Sequence, residues 1–432
     1  MSQLVDRAVI LDDRVKGMPG GMRPLASEKL ADMNWNVLRE DLPLPLAIIN
    51  ESALRRNSLW MKRFLDKTGA YICPHGKTSM SPEIFDLQFE DGAWGITAAT
   101  SGHIQIYRRF GIKRILLANQ LVGRQNIRYV LDELRSDPEF DFYCLVDSAA
   151  GVEALLSAID ANPIGRPLQL LLEVGALGAR TGVRADDEAK RLASMIGKAF
   201  PRIVLKGVEA YEAIFVGKRD DEVEARVTEL LTNVVRIAEW CDKENLFGEG
   251  PVILSAGGSA FFDMVVESFG ACHLQKSSRT VLRCSSYLTY DSGLNDRAFN
   301  RLQERRSSAR SLNGKLTHSV EVWAYIQSVP ESGLALVTMG KRDVSFDIEM
   351  PIPLHIYRPS KDTFPRPLGT DCYVASLNDQ HCYLQFPMSE DICVGDMIGF
   401  GISHACTTFD KWRVLVKVDD EYSITGAITT WF

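Results

Sequence analysis

The chain has 432 residues, of which 46% are hydrophobic and 24% are charged, so it can bury a large core and we expect two domains. Its formal net charge of -7 excludes the basic surface that a nucleic-acid partner requires, which leaves a small-molecule substrate as the expectation. No stretch reaches the roughly 18 apolar residues of a membrane span, and the N-terminus has no apolar signal core. The nine cysteines are irregularly spaced, which fits reduced thiols better than disulfides. Together with the absence of a signal core, they predict a cytoplasmic protein.

The pattern of the N-terminal residues predicts an extension rather than a separate domain. Residues 1–44 show weak periodicity, residues 43–49 read as one strand, and residues 54–64 read as a helix. We therefore predict that residues 1–50 form an N-terminal extension, whose strand packs on the C-terminal domain.

From Tyr71 onward, short apolar runs alternate with amphipathic helical stretches, which is the pattern of repeated βα units. The runs cover residues 71–74, 94–97, 114–118, 142–146, 168–174, 204–210, 252–255 and 280–288. Most are nearly continuous in apolar residues, as parallel strands covered on both faces are. Eight units, with no Gly-x-Gly-x-x-Gly fingerprint after the first, favour a closed (β/α)8 TIM-type barrel over residues 51–291, with an open doubly wound sheet as the alternative.

Beyond residue 291 the pattern changes to short alternating runs broken by glycine, proline and asparagine. These runs cover residues 320–326, 335–339, 372–375, 397–400 and 412–418. They predict an all-β C-terminal domain over residues 292–432. The stretch 292–315 reads as an exposed helix or connection, and its sequence indicates no chemistry.

Chemistry in such a barrel belongs at the carboxyl ends of the strands, and polar residues follow several of the predicted strands. Lys77 follows the first strand, in the loop before a helix that Ser81 can cap and that Pro82 can begin. Arg180 follows the fifth strand and Tyr211 follows the sixth. Each residue alone is more often an ion pair or a core residue, but together they indicate a site.

The loop after the seventh strand contains small residues, which let backbone N–H groups approach a phosphate at the start of a helix. We predict that Gly257, Gly258 and Ser259 form this phosphate cradle, with Ser286 and Tyr287 completing it from the eighth run.

A second signal lies in the C-terminal domain at His404 and Cys406. In a strand, residues two apart point the same way, so these side chains can converge on one ion. A thiolate beside an imidazole selects a soft or borderline metal, most plausibly zinc, and two protein ligands leave open positions, as a catalytic site requires.

The order of these elements resembles the alanine racemase-like (fold type III) pyridoxal phosphate enzymes, and within them the D-serine dehydratase and D-threonine aldolase branch. The resemblance spans nearly the whole chain after residue 44 and rests on Pro74-His75-Gly76-Lys77-Thr78, Gly257-Gly258-Ser259, Gly395-Asp396 and His404-Ala405-Cys406. It implies that Lys77 forms the Schiff base with pyridoxal 5'-phosphate, that Arg180 lies near the phenolic oxygen of the cofactor, and that the glycine loop and Tyr287 hold its phosphate. It also implies that Tyr211 or Arg283 faces the pyridine nitrogen.

The same resemblance favours a dehydratase, because dehydratases of this branch have a cysteine at the Cys406 position and aldolases have an aspartate. It implies a homodimer, and it suggests supporting roles for His75 and His381. On this hypothesis Lys77 removes the α-proton of D-serine or a related D-3-hydroxy amino acid, and zinc stabilises the departing hydroxide, giving a 2-keto acid and ammonia. Ser79-Met80 stands where many members have His-Lys, which leaves the substrate open.

Two alternatives remain from the sequence. A D-threonine aldolase would release glycine and an aldehyde. An amino-acid racemase would need a second base from the β-domain, for which the candidates are Tyr325, Tyr357, Tyr373 and Tyr383.

Overall fold

The computed structural model describes residues 9–215, 219–305, 312, 314–359 and 361–432. Residues 1–8 of the predicted extension, and residues 306–311 and 313 of the basic connection, lie outside this description. The chain begins with a short hairpin, β1 (Ile10–Leu11) and β2 (Leu25–Ala26), then a 3-10 helix over Ser27–Met33 and strand β3 (Leu46–Asn50). In the described part of the chain, no helix combines the length and apolar character that a bilayer crossing requires.

Eight parallel strands form the predicted barrel, and each predicted apolar run overlaps one of them. They are β4 (Tyr71–Ile72), β5 (Ile96–Ala98), β6 (Arg114–Gln120), β7 (Asp141–Val146), β8 (Leu168–Glu173), β9 (Ile203–Glu209), β10 (Val252–Ala256) and β11 (Ser278–Leu282). The order of the sheet is β4-β11-β10-β9-β8-β7-β6-β5. It closes because Trp94 N–H donates to Ile72 O (2.8 Å) and Thr97 N–H donates to Pro74 O (2.8 Å). The doubly wound alternative is therefore wrong.

The eighth strand is shorter than predicted, since it ends at Leu282 rather than at residue 288. Arg283 leaves the strand, and its guanidinium forms a buried ion pair with Glu209. The remaining residues of the predicted run form a loop at the mouth of the barrel. This loop supplies part of the site.

Helices cover the outside of the barrel. They are α1 (Glu51–Thr68), α2 (Pro82–Glu90), α3 (Ser101–Arg109), α4 (Arg124–Ser136), α5 (Ala149–Ala161), α6 (Asp186–Lys198), α7 (Asp220–Lys243), α8 (Phe262–Gly270) and α9 (Leu294–Glu304). Asn50 caps α1, because its side-chain oxygen accepts from Ala53 N–H (2.7 Å). Ser81 and Pro82 take the predicted first positions of α2, but the Ser81 hydroxyl donates to Glu83 Oε2 (2.6 Å) instead of capping the backbone.

The rest of the chain forms an antiparallel β-structure, as the alternating runs predicted. Its elements are β12 (Val320–Glu331), β13 (Leu334–Val337), β14 (Ile352–Tyr357), β15 (Arg366–Pro367), β16 (Tyr373–Leu377), β17 (Cys382–Gln385), β18 (Met397–Gly401), helix α10 (Ala405–Phe409), β19 (Val414–Val418) and β20 (Ile424–Thr429). Strand β3 joins this sheet, pairing antiparallel with β12 and parallel with β19. The N-terminal strand thus crosses from one end of the chain to complete the C-terminal sheet.

Polar contacts hold this sheet against the mouth of the barrel. Trp431 N–H donates to Met80 O (2.9 Å), and the Thr429 hydroxyl donates to Glu83 Oε1 (2.8 Å) on α2. Both acceptors lie within six residues of Lys77 in the sequence. The contacts therefore fix the position of the first βα loop relative to the β-structure.

Candidate active site

A cavity of about 710 Å³ lies at the carboxyl ends of the barrel strands, where α9 and the segment before α10 approach the barrel. Most of the residues predicted from the sequence line it. They are His75, Lys77, Arg180, Tyr211, Gly258, Ser259, Arg283, Ser286, His404 and Cys406. The structure thus brings residues from both ends of the chain to one rim, as the predicted barrel requires.

Lys77 and Cys406 meet inside this cavity. Lys77 lies in a 3-10 turn, Gly76–Thr78, directly after β4, and its Nζ lies 3.7 Å from Cys406 Sγ. Cys406 Sγ also lies 3.5 Å from Thr78 Oγ1, which pairs with Ser285 Oγ at 2.7 Å. A glycine precedes the lysine because a Cβ at position 76 would lie 2.5 Å from the Tyr107 hydroxyl.

The local geometry of the His-x-Cys pair differs from the predicted strand. Strand β18 ends at Gly401, His404 is the N-cap of α10, and Cys406 lies in the first turn of that helix. The strand argument for convergence is therefore wrong. The two side chains still approach each other, since they share a side-chain hydrogen bond, and His404 has an extended backbone (φ -154°, ψ 112°).

Electrostatics favour a thiolate beside an imidazolium at this point. Burial alone raises the pKa of the Cys406 thiol, but the hydrogen bond from His404 and the charge of Lys77 lower this pKa to about 7. Cys406 and Asp347 together raise the pKa of His404 to about 9. Asp347 Oδ2 lies 2.7 Å from His404 Nδ1, and Asp347 Oδ1 accepts from the Thr407 hydroxyl (2.6 Å). Asp347 therefore sets the orientation of the ring.

Arg283 lies at the bottom of the cavity with its guanidinium held on three sides. It pairs with Glu209, donates to Ser255 Oγ (3.0 Å) and donates to Ala210 O (3.0 Å). Burial raises the pKa of Glu209 to about 7, although the charge of Arg283 opposes this shift. The pair is fixed in position before any ligand arrives.

The glycine-rich loop is arranged differently from the predicted cradle. Gly257 N–H and Gly258 N–H donate to the two carboxylate oxygens of Glu212 (3.0 and 2.6 Å), so these donors are already used. Within the described residues, the backbone N–H groups of Ser259 and Ala260 have no acceptor. A phosphate would therefore meet Ser259 and Ala260 rather than the two glycines.

Arg180 and Tyr211 line the cavity together, as their strand-end positions predicted. The Arg180 guanidinium lies over the Tyr211 ring, 4.7 Å from its centroid. Burial raises the pKa of the Tyr211 hydroxyl, which keeps it neutral. A positive charge is thereby held at the rim.

Two predicted site residues lie elsewhere. Tyr287 is a buried core residue that does not line the cavity, and its hydroxyl donates to Asp91 Oδ2 (3.4 Å), so the phosphate role predicted for it stays a prediction. His381 is exposed in the β16–β17 turn and does not line the cavity, so a supporting role for it stays a prediction as well. His75 does line the cavity, and burial lowers the pKa of its imidazole well below the ordinary value.

Several residues of the site were missed from the sequence. Glu209 had a usable signal, because an acidic residue at the end of an otherwise apolar strand is rarely buried without a partner. Glu212 and Asp347 had none, since their partners are distant in the chain. The stretch 292–315, which contains α9, was predicted to have no chemical role, yet its residues Arg301 and Arg305 line the cavity.

Comparisons with known proteins agree with this architecture. Residues 319–418 match the family model described as "Putative serine dehydratase domain". D-threo-3-hydroxyaspartate dehydratase from Delftia sp. (strain HT23) is 26% identical over 261 residues, covering 56% of this chain and 67% of that protein.

Solved structures share the whole fold. The crystal structure of D-threonine aldolase from Filomicrobium marinum superposes with a TM-score of 0.72 at 21% identity, covering 90% of this chain and 95% of that one. The Delftia dehydratase superposes with a TM-score of 0.70 at 19% identity, covering 91% and 98%. Alanine racemase from Bacillus anthracis gives 0.55 at 14% identity, covering 89% and 97%.

The fold is therefore the alanine racemase-like fold, a parallel eight-stranded barrel followed by an antiparallel β-structure. The matched dehydratase domain and these relatives support the predicted resemblance to the D-serine dehydratase and D-threonine aldolase branch of the fold type III enzymes.

Proposed function

We propose that this protein is a pyridoxal phosphate-dependent lyase that eliminates water from a D-3-hydroxy amino acid, D-serine or a relative of it, with zinc on His404 and Cys406. The observation that carries the proposal is the contact between the two chemical groups. Lys77 Nζ, the candidate base, lies 3.7 Å from Cys406 Sγ, the candidate metal ligand. A substrate bound at Lys77 would thus present its β-substituent to the His-x-Cys pair.

The cavity fits a phosphorylated pyridine. His75 Nδ1, Glu209 Oε1 and Arg283 Nε are buried and have no hydrogen-bond partner among the described residues, and all three residues line the cavity. Lys77 and Arg180 add positive charge for an anionic ligand. Arg283 would face the pyridine nitrogen, and the Ser259 and Ala260 N–H groups would hold the phosphate.

The chemistry then divides between cofactor and protein. When bound, pyridoxal phosphate supplies an acceptor for the electron pair that is left when the Cα–H bond breaks. Lys77 Nζ takes the α-proton, and Arg180 and Tyr211 would position the cofactor ring. Burial lowers the pKa of the Arg283 guanidinium, but the negative charges of Glu209 and Glu212 outweigh burial and raise this pKa, so Arg283 stays charged. The enamine that leaves the enzyme tautomerises and hydrolyses to a 2-keto acid and ammonia.

Zinc fits the donor set of the second group. Cys406, with a pKa lowered to about 7, offers a thiolate, and His404 offers its second ring nitrogen while Asp347 accepts from the first. A zinc ion there would supply Lewis acidity at the β-hydroxyl. In support, a cysteine-to-alanine mutant of a D-threo-3-hydroxyaspartate dehydratase was solved in the metal-free form. A mutant of a histidine two residues earlier was solved too.

Aldol cleavage is the second candidate, favoured by the similarity to D-threonine aldolase. Racemisation has less support, because none of Tyr325, Tyr357, Tyr373 and Tyr383 lines the cavity of this chain. Tyr325 instead donates to Glu40 Oε1 (2.7 Å).

The test supplies purified protein with pyridoxal phosphate and zinc, then D-serine, D-threonine and D-threo-3-hydroxyaspartate in parallel. We expect keto acid with equimolar ammonia from at least one of them, abolished by chelation and by Cys406→Ala. Lys77→Ala should abolish turnover and the absorbance of bound cofactor, whereas Cys406→Ala should keep that absorbance. Glycine with an aldehyde would replace the dehydratase by the aldolase, and turnover that is unchanged in Cys406→Ala would refute the metal role. Size-exclusion chromatography with light scattering tests the homodimer that we also propose.

A further inference from the structure

A second cluster of metal-ligating side chains lies outside the cavity. His318, Glu321 and His355 place one ligand atom each within 4.8 Å of one another. The Glu321 Oε1 atom is 3.8 Å from His318 Nε2 and 3.7 Å from His355 Nε2. These separations are too long for hydrogen bonds, but they are close to the spacing of roughly 3.3 to 3.5 Å between donor atoms that share a tetrahedral ion about 2.0 to 2.1 Å from each.

The β-sheet builds this cluster from two strands that flank a third. Glu321 on β12 pairs with Gly401, and His355 on β14 pairs with Gly399, so both side chains lie on one face of the sheet across β18. The position between them must be small, because a Cβ at Gly399 would lie 2.7 Å from the Trp323 indole. Glycine at position 399 therefore leaves room for the Trp323 indole, whose Nε1 donates to Glu321 Oε2 (2.8 Å).

The polar atoms of the cluster lack ordinary partners. The Glu321 side chain is only 12% exposed, and the hydrogen bond it accepts is from Trp323 Nε1 (2.8 Å). Neither imidazole forms a hydrogen bond with another residue that the structure describes. Burial lowers the pKa of both imidazoles, which favours the neutral form that binds metal. Burial also raises the pKa of Glu321 to about 7, so a cation beside it would stabilise the carboxylate form.

We propose that His318, Glu321 and His355 form a second metal site, for a divalent transition ion of the zinc type, with water as the remaining ligand. Two imidazole nitrogens and one carboxylate oxygen are a known zinc ligand set. The His318 and His355 side chains are 40% and 28% exposed, so the ion and its water can enter from solvent. The site contains no sulfur, which distinguishes it from the His404 and Cys406 pair.

Such an ion would tie β12 and β14 together across β18. Strand β18 ends at Gly401, three residues before His404. The ion would therefore stabilise the strand that leads into the active-site segment without contacting the substrate. Its role is structural, so its binding can be measured without any assay of activity.

The test uses the full chain in a His404→Ala/Cys406→Ala background, which removes the other metal pair. Chelator-stripped protein is dialysed against cobalt(II), the metal content is measured by elemental analysis, and the visible spectrum is recorded. We expect about one cobalt ion per chain, with ligand-field bands but no thiolate charge-transfer band. Adding His355→Ala or Glu321→Gln should remove this ion. Adding His381→Ala, a change at an exposed histidine on the same domain, should leave it in place.

Circular dichroism and thermal melts show whether each variant is folded, and His318→Ala serves where His355→Ala does not fold. Cobalt content near zero in the background protein would overturn the proposal. So would cobalt binding that survives His355→Ala and Glu321→Gln alike. Because the background lacks the catalytic metal ligands, either result is independent of whether the proposed lyase activity is correct.

Discussion

Asp347 offers the most informative single change, because it contacts the metal pair only through His404. Its Oδ2 lies 2.7 Å from His404 Nδ1, and its Oδ1 accepts from the Thr407 hydroxyl at 2.6 Å. A carboxylate that orients a metal-bound histidine typically contributes about 10- to 100-fold in metal affinity. We therefore expect Asp347 substitutions to weaken zinc binding while the two ligands remain present.

The structure indicates where in this range each variant should fall. Side-chain exposures of 41% for Asp347 and 30% for His404 mean that solvent screens the charge, so Asp347→Asn, which keeps an acceptor, should cost about tenfold, or about 1.4 kcal/mol. Asp347→Ala also frees the ring and the Thr407 hydroxyl, so it should approach about 100-fold, or about 2.8 kcal/mol.

Zinc affinity is measured by competition with a chromophoric chelator on chelator-stripped protein. Asp379→Asn, at a 72% exposed carboxylate of the same domain, is the matched control and should bind zinc like the original chain. His404→Ala should lose tight binding altogether. An Asp347→Ala protein whose affinity stays within about twofold of the original would show that the aspartate does not orient the ligand.

Three further predictions concern the loop, the thiol and the core. Glu212→Gln should lower the free energy of unfolding in urea titrations by about 1–3 kcal/mol, because an amide has one oxygen where the carboxylate has two to accept from the two N–H groups. The control Glu229→Gln, on an exposed helix face, should leave the free energy of unfolding unchanged. Alkylation of Cys406 by iodoacetamide in metal-free protein should reach half of its maximal rate at pH about 7 and level off about one pH unit higher, because only the thiolate reacts; a rate that still rises steeply at pH 9 would contradict the lowered pKa. Phe64→Ala should lower the free energy of unfolding by about 3–5 kcal/mol, because this buried ring packs on two other aromatic rings. A loss below about 1 kcal/mol would show that neighbouring side chains fill the space left by the ring.

The strands of the barrel could be predicted because their signal is local. Runs such as β8 (Leu168–Glu173) are apolar on both faces, and a parallel strand covered by helices needs no other pattern. The position of Lys77 followed directly, since a residue after β4 must lie at the rim. The eighth strand was predicted too long, because its run was extended to Leu288, whereas the strand ends at Leu282 and the next residue, Arg283, forms a buried ion pair with Glu209.

The predictions missed contacts in which a residue's partner lies far away in the sequence. The two glycine N–H groups read as a phosphate cradle, but Glu212 approaches them from 45 residues earlier. Tyr287 was predicted to hold the cofactor phosphate, but its hydroxyl donates a hydrogen bond to Asp91, which lies 196 residues away in the sequence. In both cases the side-chain type was compatible with the predicted role, and only packing determined which partner it met.

By itself, the sequence determined the two kinds of architecture, the order of the chemical groups and the branch they resemble, because periodicity and short motifs depend on neighbouring residues. Tertiary structure alone decided which groups meet. It brought Cys406 next to Lys77, which is 329 residues away in the sequence, and it placed Asp347 in contact with His404. It also placed His355 near Glu321, on the two strands that flank β18. Such contacts depend on how the sheet closes and how its strands register, and a linear pattern does not encode those distances.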